Sequence, residues 1–177
     1  MYAMGIDPGL TCTAWAWVEV RSRLPNKYNV ESYDAMTSGG AKVDLFLRMY
    51  AIASSVGLAS SKKSCLQLVF IERPFLGPKA SVSTALGCFG TYSSIAVSVI
   101  ENSGIVPIEV APTQVKSYLC ISTKDWGNKD YVAQSVLGKI EKPERLRREL
   151  SGRTKVQREA VYDAIGIALT GLFLHTD

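Results

Sequence analysis

A single histidine, His175, stands near the end of the 177 residues. The four cysteines, Cys12, Cys65, Cys88 and Cys120, are scattered with no Cys-x-x-Cys pair among them. This argues against a zinc site, which draws on clustered sulfur and imidazole, and it leaves no convincing histidine or cysteine nucleophile. The cysteines read as free buried thiols in a reducing compartment. No apolar run reaches the roughly 18 residues of a membrane span, so no membrane partner is expected. The first residues lack the basic segment and apolar stretch of a secretion signal, which makes the cytoplasm the expected place of action. Internal repeats, low-complexity tracts and linkers are also missing, and residues 1–177 read as one domain with a sizeable core.

Extreme charge is absent as well, but the charge that exists is unevenly placed. Between Lys139 and Glu159 eight basic residues, including Arg147, Arg148 and Arg153, face four acidic ones, so this segment carries the whole formal net charge of +4. A basic patch on an otherwise neutral domain is the footprint of a polyanion partner. A solvated helix laced with salt bridges would have the same composition.

The chain is organised around its first strand, Tyr2 to Ile6, and the turn that ends it. Asp7 stands at the C-terminal end of that strand, and Pro8-Gly9 turns the chain at once. A strand end is rigid and suits a metal ligand, although an ordinary Asp-Pro-Gly hairpin turn reads the same way. Strands follow over Thr11 to Val20 and Tyr28 to Met36, with a turn at Leu24-Pro25-Asn26 and a break at Gly39-Gly40. Apolar residues at helical spacing predict a helix over Val43 to Leu58, then a polar loop over Ser60 to Ser64. The near-continuous apolar run Leu66 to Ile71 predicts a central strand. Residues 80–102 are rich in small side chains and poor in charge. They read as a long helix able to approach another helix closely, in the core or across a dimer interface. A strand over Ile105 to Val110, short helices over Thr113 to Leu119 and Lys129 to Ile140, and a last helix over Val156 to Leu174 complete the chain. The order β-β-β-α-β-α-β-α-α-α implies an α/β protein, a five-stranded mixed sheet with helices on both faces.

Two central strands then end in acid, at Asp7 and at Glu72, and the two would be neighbours. Carboxylates held together repel unless a cation lies between them. A third acid, Asp163, sits within the apolar last helix, where it serves either a metal or a Lys or Arg partner. Glu159 lies one turn earlier on nearly the same face. Such oxygen-only clusters suit Mg²⁺ or Mn²⁺.

Five stretches carry a resemblance to a known family: Gly5-Ile6-Asp7-Pro8-Gly9, Phe70-Ile71-Glu72-Arg73-Pro74-Phe75, Ala111-Pro112-Thr113-Gln114-Val115-Lys116, Gly127-Asn128-Lys129, and Tyr162-Asp163-Ala164-Ile165-Gly166-Ile167-Ala168-Leu169. In this order and over nearly the whole chain, they resemble the RuvC-type Holliday junction resolvases of the ribonuclease H-like superfamily. The resemblance implies a ribonuclease H-like fold and a homodimer that cuts four-way DNA junctions with two Mg²⁺ per active site, Mn²⁺ substituting. Asp7, Glu72 and Asp163 match the family's metal-binding acids. The family's usual fourth ligand lies three residues before the last of these. Here that position is Ala160, and Glu159 is the candidate replacement. Lys116 and Lys129 match lysines beside the scissile phosphate, and Phe75 an aromatic that stacks on bases near the crossover. Arg73, beside it, joins Arg147, Arg148 and Arg153 as a candidate nucleic-acid contact. The resemblance is compatible with a bacterial enzyme or with a viral or phage enzyme acting in a host cell, and no helicase partner is identified. The alternatives are a less selective ribonuclease H-like nuclease on branched DNA or RNA–DNA hybrids, and an inactive junction-binding module. A fragment of a sugar-kinase or actin-like ATPase, which also opens on Gly-Ile-Asp-x-Gly, needs two related domains and is excluded by length.

Overall fold

A computed structural model describes residues 1–20, 28–37, 44–62, 65–76, 80–125 and 128–175. The elements are β1 (Tyr2–Asp7), β2 (Cys12–Val20), β3 (Tyr28–Thr37), α1 (Leu45–Ser61), β4 (Leu66–Glu72), α2 (Val82–Ser103), β5 (Ile108–Val110), α3 (Pro112–Tyr118), α4 (Lys129–Lys139), α5 (Pro143–Leu150) and α6 (Lys155–His175), with a 3-10 turn at Thr123–Asp125. The strands form one mixed sheet in the order β3-β2-β1-β4-β5. β1 to β3 make the antiparallel meander expected from the sequence, while β4 runs parallel to β1 and β5 parallel to β4.

Side chains alternate across the sheet. Met4, Ile6, Val69 and Ile71 enter one core with Ile52, Val56, Ile95 and Val99 of α1 and α2. Ala3, Ala14, Ala16 and Phe70 enter a second core with α3 to α6. α6 crosses the second face and touches every strand. It can lie that close because the sheet offers no side chain at Gly5, where a Cβ would stand 2.1 Å from the Ala164 carbonyl oxygen. In turn Gly171 admits the Phe70 ring, which a Cβ would meet at 2.3 Å.

Several boundaries differ from expectation, each for a physical reason. α1 continues to Ser61 because the Ser60 and Ser61 hydroxyls donate back to the carbonyls of Gly57 and Leu58, at 2.7 and 3.0 Å. β5 starts only at Ile108, since Pro107 has no N–H to give a sheet ladder. α5 is an additional helix. Pro143 occupies its first turn, where proline is tolerated, and Leu146 and Leu150 form its buried stripe. The small residues of α2 are used within the chain: Gly90 lies against Met49 of α1, and Gly57 of α1 against Ser98. α2 is long and apolar enough, by length and composition, to cross a membrane, but one of its stripes, Gly87, Thr91, Ile95 and Val99, is buried in the chain. All four cysteines are free, but only Cys12 is buried; Cys65 and Cys120 are exposed. The expected turn at 24–26, the break at 39–40, and residues 43, 63, 64 and 127 lie outside the described residues.

Candidate active site

The C-terminal ends of β1, β4 and β5 share one edge of the sheet, the edge at which open α/β sheets bind ligands. Ile6 pairs with Ile71, so the next residues, Asp7 and Glu72, are neighbours across the ladder. Both follow residues of the α1/α2 core and therefore face α6. The turn behind Asp7 is closed by a bond from the Gly9 amide to the Asp7 carbonyl and by the Thr13 hydroxyl donating to the Gly9 carbonyl at 2.6 Å.

α6 brings the third carboxylate. The Thr154 amide donates to Gln157 Oε1, and the Gln157 amide to Thr154 Oγ1, a reciprocal cap that sets where the helix begins. Asp163 then falls next to Ala164, the residue that abuts Gly5. Lys129 arrives from α4, whose first turn is capped by the Asn128 side chain accepting from the Asp130 amide. Its ammonium meets Asp163 Oδ2 at 2.5 Å. Lys116 arrives from α3, which starts two residues after β5. The Ala111 amide at its start donates to Gln114 Oε1 at 2.7 Å.

The electrostatics bind these groups into one unit. Burial, then the charges of Asp163 and Glu72, raise the Asp7 carboxyl well above its ordinary value, against the pull of Lys129. Burial and Asp163 push Glu72 up to about 7, with Lys129 and Lys116 opposing. Asp163 is raised by burial, a shift that Lys129 counters most. Lys129 itself is raised: burial works against its charge, but Asp163, Asp7 and Glu72 together outweigh it. Among the described residues neither the Asp7 nor the Glu72 carboxylate has an ion-pair partner, and no three His, Cys, Asp or Glu side chains stand close enough as placed to hold a metal ion.

Asp7, Glu72, Asp163, Lys116 and Lys129 are thus brought together. Phe75 lies just past Glu72 with its ring 79% exposed, and Arg73 between them is exposed, its amide donating to the Val110 carbonyl. Glu159 stands 3.7 Å from Lys155 in an i,i+4 contact and adds its charge to the field at Asp163. The basic segment is partly self-paired: Arg147 binds Glu144 at 2.8 Å, Arg145 binds Glu149, and Arg153 binds Asp34 at 2.6 Å while lying over the Tyr33 ring. Asp163 accordingly does have the Lys partner that was one of its two readings. Not anticipated from sequence is a cleft of ≈ 420 Å³ beside Lys129, lined also by Lys124, Asn128, Asp130, Lys155 and Glu159. Lys124 lies in the 3-10 turn, a stretch too short to show periodicity, so no pattern tied it to α6.

A mixed sheet crossed by one long helix, with acids at the ends of its two central strands and on that helix, defines a protein of the ribonuclease H-like fold. Thermus thermophilus RuvC superposes with a TM-score of 0.75 at 22% identity, over 99% of this chain and 96% of that one. The yeast mitochondrial Holliday junction resolvase Ydc2 gives 0.67 at 14%, over 95% and 76%. The fowlpox virus Holliday junction resolvase gives 0.52 at 12%, over 98% and 99%. The chain has the fold of these resolvases. No family model matches it, and no curated protein does.

Proposed function

We propose that this chain is a metal-dependent endonuclease that resolves four-way DNA junctions by paired phosphodiester hydrolysis, as a homodimer. One observation carries the reading: three partly buried carboxylates, of which Asp163 raises the pKa of both Asp7 and Glu72, flanked by two lysines, at the open strand ends of a fold shared with RuvC. The RuvC of T. thermophilus has also been seen in complex with a Holliday junction substrate.

The donor set fits Mg²⁺, with Mn²⁺ substituting. It is all oxygen, and the mutual repulsion of Asp7, Glu72 and Asp163 is what a dication relieves. These three would hold two ions, with Glu159 as the fourth ligand. When bound, such a pair supplies an activated water and stabilises the leaving oxygen. The chain's own part is to place positive charge where negative charge grows on the phosphoryl oxygens, through Lys129 and Lys116. Phe75 offers an exposed face on which a base at the crossover can stack, with Arg73 beside it for the backbone. Arg147, Arg148 and Arg153 would hold the arms of the junction. Surface ion pairs contribute little stability, so phosphate can compete for these guanidinium groups.

A four-way junction has two-fold symmetry, and a two-fold dimer provides the two sites that paired cuts require. The outer faces of α1 and α2 support such a dimer. Phe46, Tyr50, Leu86 and Val97 are between 54% and 73% exposed there, apolar side chains of the kind a partner copy would cover.

Incubation of the protein and Mg²⁺ with a synthetic four-way junction, a linear duplex and an RNA–DNA hybrid tests the proposal. Paired nicks in the junction alone are expected. Equal cutting of the hybrid would make it a broader ribonuclease H-like nuclease, and junction binding without cutting would make it an inactive module.

A further inference from the structure

The cleft beside Lys129 adjoins the carboxylate cluster: the proposed reaction uses Lys129 and Glu159 of its lining and leaves Lys124 and Lys155 without a task. It is open, ≈ 420 Å³, and joined to the carboxylates through Lys129, which lines it while touching Asp163. Its other two cations come from different parts of the chain: Lys124 from the 3-10 turn before α4, and Lys155 from the first turn of α6. Lys124 has no ion-pair partner among the described residues. Lys155 is 78% exposed, and its contact with Glu159 is loose at 3.7 Å.

The lining therefore sets three ammonium groups against Asp130 and Glu159, with Asp163 held by Lys129 as a third carboxylate. With the charges balanced the cleft disfavours a polyphosphate, whereas a singly charged phosphodiester needs only Lys124 and Lys155, and the loose surface pair of Lys155 is easily displaced. Side chains on three separate segments that converge on one open cleft focus their field there. Successive phosphates of one strand rise only ~3.4 Å along a helix axis, so a strand held at the carboxylates must set its next phosphates on the adjoining surface. We infer that this cleft is a second phosphate subsite, in which Lys124 and Lys155 grip a backbone phosphate neighbouring the one that is cut, on the same strand. The inference rests on the junction-nuclease reading and adds to it the part of the substrate that fixes the strand's register.

The test uses the full chain, a synthetic four-way junction in Ca²⁺, and a Lys124→Gln/Lys155→Gln double variant. Both side chains are exposed, so folding is spared. The slope of log affinity against log salt should fall by about two units, whereas Lys62→Gln, at the opposite end of the sheet where β4 begins, should leave it unchanged. Junctions carrying one methylphosphonate at each position around the cut then locate the phosphate. At one neighbouring position the wild type should lose about tenfold in affinity, and the double variant should lose nothing further. An unchanged slope, or losses that multiply at every position, would overturn the subsite while wild-type cutting left the nuclease reading standing. A wild type that neither binds nor cuts the junction would overturn both.

Discussion

Glu72 shows how the site's chemistry and the chain's stability oppose each other. Its carboxyl is pushed up to about 7, mainly by burial and then by Asp163, whereas in the unfolded chain it titrates at its ordinary value of 4.5. Between these values the folded state holds more protons, so metal-free stability falls as pH rises through that window. Asp7 and Asp163 are shifted in the same direction. Lys129 is raised above its already high ordinary value, so its contribution is fully present and constant in this window. Glu149, held low by Arg145 and Tyr33, loses its contribution only as pH falls below the window. In chelator, the melting temperature should therefore drop between about pH 5 and about pH 8. Glu72→Gln should flatten the drop and melt higher than the wild type at the upper pH while losing cleavage. A variant that melts lower there would deny the repulsion. Glu159→Gln should slow cutting about tenfold and raise the Mg²⁺ requirement. Normal cutting at low Mg²⁺ would leave three protein carboxylates, with water in the fourth place.

The elements explain why some of this was legible in the sequence and some was not. β1 and β4 were plain because each is an apolar run closed by an acid and a nearby proline, and parallel neighbours put those acids side by side. Asp163 was legible because a carboxylate inside an apolar helix has to be accounted for. That it faces Asp7 follows from a contact between Gly5 and Ala164, far apart in sequence, that no local pattern announces. α5 was hidden because Pro143 at its start and Gly152 just past its end read as breakers, and five of its eight side chains are charged, while its two buried leucines are too few to show a period. Its attachment depends on a partner equally distant in sequence: Tyr33 on β3 donates to Glu149 at 2.8 Å, and Arg145 donates to the same carboxylate. This anchoring leaves Arg147 and Arg148 exposed. Reversing both charges should weaken junction binding and lower the salt slope by about two units. An unchanged affinity and slope would return α5 to the solvated, self-paired reading.

At the scale of the whole molecule, the sheet separates two unlike faces. One face carries α6 and the acids, and the other carries α1 and α2 with their exposed apolar side chains. Light scattering at micromolar concentration should report twice the chain mass, and Tyr50→Asp/Leu86→Asp should give a folded monomer that no longer makes paired cuts. A wild-type monomer that still cuts in pairs would refute the dimer. The central claim is that the carboxylates at the strand ends serve cleavage rather than folding or DNA binding, and Asp7→Asn tests it most directly. Its junction affinity is measured by mobility shift in Ca²⁺ and its cutting in Mg²⁺. Full binding with cleavage abolished is the expected result; near-normal cutting by Asp7→Asn would contradict the account.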